Sequence, residues 1–131
     1  MPKILVVSGP VIIENNKALL DMHGDDSFWK FCGGRVSDFE LGLAENAAKR
    51  AQEELGIEIE ILDKKPFLLH MQKETPEGAL DVVLVHFLAK RIGEIKPGKD
   101  IKDWSWFALN NLPENLAPNI EPVLKHFQFI E

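Results

Sequence analysis

The chain has 131 residues, 45% hydrophobic and 27% charged, with a formal net charge of −6. The length fits one domain over 1–131, and the composition is that of an ordinary soluble globule with material for one core. An acidic chain lacks the basic surface that a duplex nucleic-acid binder needs for counterion release. No apolar run reaches membrane-spanning length and no charged-then-apolar leader is read, so cytoplasmic residence with no membrane partner is expected. The single cysteine, Cys32, excludes an internal disulfide.

Ile4 to Ile13 is apolar and β-branched, broken by Ser8-Gly9-Pro10. Asn15-Asn16 signals a turn into a returning strand at Ala18-Leu19-Leu20. Pro10 predicts a bulge or an edge position. Asp21 to Asp26 is polar, contains Gly24 and reads as a loop. Trp29-Lys30-Phe31 alternates and runs into Cys32-Gly33-Gly34. Leu43 to Leu55 reads as a helix, with Leu43, Ala47, Ala51 and Leu55 as an i, i+4 apolar stripe. Gly56 is its stop. The stripe is expected against a sheet, with Glu53 and Glu54 lying off it.

Ile57 to Leu62 alternates Ile with Glu, a half-exposed strand. Phe67 to Gln72 and Leu80 to Ala89 are two more strands, joined by a turn at 75–78. His70 and His86 lie inside them; either could be a ligand or an acid–base group, but both read as core or cross-strand residues, since neither has a metal-ligand spacing with another His or Cys. Residues 90–102 read as a basic loop and Asp103 to Leu109 as a strand. Leu112-Pro113 marks a turn, and Asn119 to Ile130 has the spacing of a closing helix.

Gly33 to Ile57 carries the chemistry. Glycine lets backbone approach a ligand closely. A following helix with Glu53 and Glu54 suits a hard divalent cation, which takes carboxylate oxygens together with the phosphate oxygens of a substrate.

This stretch resembles the Nudix box, G-x5-E-x7-R-E-U-x-E-E-x-G-U with U apolar. Gly34 fits the opening glycine and Glu40 follows at the right interval. Ala51 to Ile57 match U-x-E-E-x-G-U. Upstream, Trp29 to Gly34 is similar to W-x-F-P-G-G, with Cys32 in the proline position. Downstream, Trp106-Phe107 with Leu109 and Leu112-Pro113, then Leu116-Ala117-Pro118-Asn119, resembles the family's C-terminal third. Two features depart. The segment after Glu40 is one residue too long, and the motif's R-E falls on Lys49 and Arg50. Residues three and four apart share a helix face, so Arg50 stands over Glu53 and Glu54. A pair between Arg50 and Glu54 on a solvated face is expected, which lowers the negative potential that attracts a metal.

The resemblance implies an α/β (α+β) fold, an α/β/α sandwich around a mixed sheet. It implies hydrolysis of a nucleoside diphosphate linked to another moiety, using Mg²⁺ or Mn²⁺ and weakened by Arg50. The partner is then a small-molecule nucleotide or other diphosphate, and a homodimer is considered because many relatives are dimers. Glu53 and Glu54 would be catalytic metal ligands, with the Gly33 carbonyl as another. Glu40 would restore the missing carboxylate if its loop folds inward. Asp100, before the last strand, is the candidate base, with Asp103 next. Arg35, Lys49 and Arg50 would meet phosphates.

Trp29, Phe31, Trp104 and Trp106 are candidates for stacking on the rest of the substrate. Trp104 shares a strand face with Trp106, and at least one of the two is expected in the core. Asn119 follows a proline, where some Nudix enzymes place a purine-reading asparagine; helix N-capping is the competing explanation. Cys32 reads as a small space filler, because no His sits close in sequence to activate it. Two other readings stay open. One is a catalytically impaired Nudix-fold nucleotide-binding or regulatory domain. The other is an unrelated α+β domain, which a sheet without flanking helices would favour.

Overall fold

The β-branched N-terminal run forms the spine of a mixed sheet. The computed structural model describes residues 4–131. In chain order the elements are β1 (Ile4–Glu14), β2 (Lys17–His23), β3 (Gly34–Arg35), α1 (Leu43–Leu55), β4 (Glu58–Ile61), β5 (Phe67–Thr75), β6 (Gly78–Ile92), β7 (Ile101–Ala108) and α2 (Ile120–His126). The sheet has seven strands in the order β4-β6-β1-β2-β7, with β3 beside β1 and β5 beside β6. Only β1 and β6 run parallel; the other pairs are antiparallel. Asn15 and Asn16 make the first turn at φ 51° and 61°, the left-handed pair that a tight hairpin asks for.

Alternation along the strands sends successive residues to opposite faces. Val11, Ala18 and Leu20 pack with Ile120, Val123 and Leu124 of α2. Their neighbours Ile12 and Leu19 pack with Ala51, Leu55 and Ile57 on the α1 side. The sheet therefore lies between two helices, the α/β/α sandwich expected. Leu55 and Ile57 are almost wholly buried, and side chains of that size each contribute about 2 kcal/mol by leaving water. The end of α1 is set by Gly56, left-handed at φ 66°, a conformation that glycine takes without Cβ strain.

Several boundaries differ from the sequence reading. β2 continues through Asp21 to His23 because β7 pairs with it along that whole length, from Lys17↔Ala108 to His23↔Ile101. β6 runs on to Ile92 because β4 pairs with its end. β7 begins at Ile101 rather than Asp103. α2 stops at His126, and Gln128 then takes a positive φ of 65°, which ends a helix. Pro10 is buried within β1. One edge of β1 pairs with β3 at Val7 and Ser8 and with β2 only from Ile13, so Pro10 sits where that edge changes partner. A residue without an N–H fits such a gap.

Gly9 and Gly33 are in backbone contact, and a Cβ built on Gly9 would overlap the Cys32 carbonyl. This contact fixes the path of the glycine pair over the spine. Gly9→Ala is expected to cost about 3 kcal/mol, the upper end for overpacking against backbone that cannot move away. Gly24→Ala, where the nearest atom to a new Cβ is 4.0 Å away, should change stability by less than about 0.5 kcal/mol. Urea unfolding of the two variants measures both; equal losses would show that the Gly9 contact is not tight.

Candidate functional site

The extension of β2 creates the site. Leu19 faces α1, so Asp21, two residues on, faces α1 as well. His23 follows after a register shift between Met22 and His23. From the helix, Glu54 turns inward and is 8% exposed, contrary to its expected place off the buried stripe. The end of β2 and the Gly33 backbone cover that flank of α1. One ligand atom from each of Asp21, His23 and Glu54 lies within 4.8 Å of the others.

The contacts within this cluster are uneven. Glu54 Oε1 lies 3.1 Å from His23 Nε2 and accepts the Gly33 N–H at 3.4 Å. That bond to Glu54 raises the His23 pKa. Asp21 is 0% exposed, and neither of its carboxylate oxygens has a hydrogen-bond partner among the described residues. The Lys30 ammonium stands 4.0 Å from Asp21 Oδ1 and donates instead to the Gly33 carbonyl at 3.2 Å. Burial pushes the Asp21 carboxyl up to about 7, against the pull of Lys30. A sealed carboxylate with two idle oxygens, a second carboxylate, an imidazole and a nearby backbone carbonyl form an oxygen-rich donor set. That set fits a hard divalent ion such as Mg²⁺ or Mn²⁺.

The remaining residues singled out from the sequence fall around this cluster. Glu53 points to solvent and pairs with Arg50 at 3.3 Å; the Arg50 partner is therefore Glu53, not Glu54, which His23 and Gly33 engage. Arg50 also donates to the Arg35 carbonyl. Arg35 and Lys49 are exposed. Glu40 is exposed in the loop before α1, where its N–H is held by Asp38 Oδ1 at 3.0 Å. The third carboxylic residue near the helix end is thus Asp21, which the sequence reading placed in a loop. Asp100 is exposed, and its carbonyl accepts the Gly24 N–H beside His23. Cys32 is buried, and that burial holds its thiol well above the usual range, the character of a filler.

Beside the cluster opens a cavity of about 360 Å³ whose wall includes Phe28, Phe31, Met71, Leu84, His86 and Asn119. Lys30 and Gly33 border both cavity and cluster. Phe28 was not singled out by sequence. Trp29 packs edge-on to Phe107, 4.7 Å between centroids, against the α2-side core. Trp104 and Trp106 both pack on the α1 side. Trp106 also lies under Arg91 at 5.7 Å and lines a second, smaller cavity with Glu14, Asn15 and Lys17. Asn119 is the first residue of the α2 cap but makes no capping bond with its side chain; its amide reaches His86.

Comparison with known proteins follows the same lines. The family model for the NUDIX domain matches residues 4–127. The MutT Nudix hydrolase of Burkholderia pseudomallei superposes with a TM-score of 0.76 at 24% identity, covering 94% of this chain and 97% of that one. A Nudix-family hydrolase from Clostridium perfringens gives 0.73 at 16% identity over 96% and 97% of the two chains. An ADP-ribose pyrophosphatase from Streptococcus suis gives 0.68 at 23%, over 92% and 87%. At these identities the likeness establishes the fold. Among curated proteins, a sequence search finds no match.

His86 yields a pH prediction. Burial lowers its pKa from 6.5 to about 4, so the folded state prefers the neutral ring. Its contribution to stability is present above pH 6.5 and is lost as pH falls toward 4, because the unfolded chain takes up the proton first. The two pKa values differ enough to make this loss on the order of 3 kcal/mol. Subtracting the pH profile of His86→Gln from that of the native chain, by urea unfolding from pH 8 to 4, should isolate that loss. A flat difference would mean that the ring is not desolvated.

Proposed function

We propose, from the premise that the chain belongs to the Nudix family, that it is a metal-dependent hydrolase of a small-molecule diphosphate. The substrate class is a nucleoside diphosphate linked to another moiety. The observation that carries this reading is the buried Asp21 carboxylate, facing Glu54 and His23, with both oxygens unpartnered among the described residues. Nothing in packing calls for a carboxylate there, and leaving it unpaired costs stability.

In this reading Asp21, Glu54 and His23, with the Gly33 carbonyl, hold Mg²⁺ or Mn²⁺, while Glu53 and Glu40 add negative charge from the exposed side. When bound, the ion acidifies a water and screens charge on the phosphate. Water adds at one phosphorus as the bond to the bridging oxygen breaks. Lys30, between cluster and cavity, meets phosphate charge, with Arg35 and Lys49 outside it. Phe31 and Phe28 line the slot for the rest of the substrate. Asp100, whose main chain is anchored beside His23, is the candidate to take the proton from water. The free thiol of Cys32 is in keeping with a reducing, cytoplasmic setting.

A second reading has its own observation. Arg50 occupies the position of a motif glutamate and ties up Glu53 at 3.3 Å. A domain that binds a nucleotide and cleaves it slowly would look like this.

Manganese titration decides the first reading. At a hundredfold excess over Kd, a specifically bound ion stabilises by about 2.7 kcal/mol, a rise of several degrees in melting temperature for a chain of this size. Asp21→Asn and Glu54→Gln should each abolish that rise. Each should also slow metal-dependent release of a monophosphate from ADP-ribose or a nucleoside triphosphate by roughly a hundredfold, as loss of one strong electrostatic partner does. A melting curve insensitive to Mn²⁺ would sink the site. Arg50→Glu separates the two readings: a gain in turnover of tenfold or more marks the native chain as an attenuated enzyme. Turnover that stays negligible while nucleotide binding persists favours the binding domain.

A further inference from the structure

Most of the cavity wall near the cluster is apolar, so a few polar groups decide what fits. One of them has its orientation dictated by chemistry rather than by how an amide is drawn. His86 on β6 is 4% exposed. Its Nδ1 lies 3.2 Å from the Phe67 carbonyl oxygen. A carbonyl only accepts, so Nδ1 carries the proton. In the neutral ring Nε2 is then a lone pair, and the Asn119 Nδ2 atom stands 3.0 Å from it. An amide oxygen in that place would set lone pair against lone pair, so the nitrogen must be the atom that faces the ring. Phe31 meets the ring edge-on, with centroids 6.0 Å apart at 74°, and Phe67 lies against it with centroids 6.1 Å apart. The ring is held on two sides as well as by its bonds.

Asn119 lines the cavity, and its side chain makes no capping bond to α2. With one N–H spent on His86, the amide keeps Oδ1 and its second N–H free of protein partners among the described residues. A freely turning amide can offer either end to a ligand. A fixed one holds Oδ1 and the remaining N–H in set places, so a ligand edge that brings a lone pair against Oδ1 leaves both unpaired.

We propose that His86 is a positioning residue that locks the Asn119 amide with Oδ1 presented as an acceptor, so that the cavity selects a heterocycle bearing an N–H donor on the edge that meets it. This rests on reading the cavity as the slot for a substrate's nucleobase. The lock itself is a property of three residues distant in sequence, Phe67, His86 and Asn119.

Two measurements on the metal-free, full chain test it. Long-range ¹H–¹⁵N NMR should show His86 as the Nδ1–H tautomer; an Nε2–H tautomer overturns the lock. Calorimetry with matched nucleotides then reads selectivity without hydrolysis: AMP against purine riboside 5′-monophosphate, which lacks the 6-amino group, and GMP against IMP, which lacks the 2-amino group. At least one donor-bearing member should bind tenfold or more tightly than its partner. His86→Leu should shrink that ratio to within twofold, and His86→Gln, whose amide oxygen can accept from Asn119, should restore it. Ratios within twofold for both pairs in the native chain, or a ratio that survives in His86→Leu, overturn the proposal. So does failure of all four to bind, which would leave metal-dependent hydrolysis, measured separately, untouched. Selectivity that persists in a chain without turnover would count against the hydrolase reading alone.

Discussion

An acid sealed between β2 and α1, to which none of the described residues donates a hydrogen bond, is the constraint around which this site is built. Asp21 has 0% exposure, and among the described residues its two oxygens have no hydrogen-bond partner. Burying a polar group unpaired costs about 1–3 kcal/mol, and more when it is charged. Lys30 at 4.0 Å relieves the charge only in part, because its hydrogen bond goes to the Gly33 carbonyl. The fold therefore favours the protonated acid, which is why the carboxyl is pushed up to about 7. Leu19, on the same strand face, shows that an aliphatic residue packs there without difficulty. Local violations of good packing chemistry are characteristic of functional positions, and this one has the chemistry of a cation ligand.

The parts of the fold that were legible are those whose signal is periodic. The i, i+4 stripe of α1 and its glycine stop depend on the helix alone, and the alternating strands depend on having two faces to cover. Asp21 and His23 were hidden by composition: a polar stretch with Gly24 reads as a loop when β7, some eighty residues away, is not yet in place to pair with it. A usable trace was present. Continuing the strand from Leu19 and Leu20 puts residues 19, 21 and 23 on one face, with two metal-ligating side chains among them. Glu54 was hidden differently. A helical stripe shows which face meets the sheet but not that a neighbouring strand end also covers the flank. Asn119 offered a local explanation, capping, that its side chain does not follow; the actual partner is 33 positions away, and no local pattern encodes it.

The cavity and the carboxylate cluster meet at one backbone segment. Gly33 lines the cavity, gives its N–H to Glu54 and its carbonyl to Lys30. It can lie there because Gly9, beneath it on β1, also lacks a Cβ. His86, paired across from Gly9 in β6, and the Glu54 end of α1 are thus tied to the same short stretch of chain. Lys30 stands at the border of the two regions, near Asp21 on one side and in the cavity wall on the other.

Arg50 and Asp21 lie on opposite sides of the α1 end. In the motif, the residue at position 50 is a carboxylate one helical turn before Glu53 and Glu54. Here it is a guanidinium that lies across Gly34, so close that a Cβ there would sit 3.0 Å from its Nε. It ties α1 to β3 through the Arg35 carbonyl and neutralises Glu53. The Arg50–Glu53 pair is partly solvated, worth at most about 1 kcal/mol, so its main effect is on potential rather than stability. The outer side of the helix end thereby loses negative charge. The inner side keeps Glu54, with Asp21 brought against it by β2. Consecutive helix positions are about 100° apart, and here Glu53 and Glu54 turn to different sides. With Glu53 engaged outward and Glu54 turned inward, the carboxyl group of the helix end that no guanidinium pairs with lies toward the interior, where the lower dielectric strengthens any charge it carries.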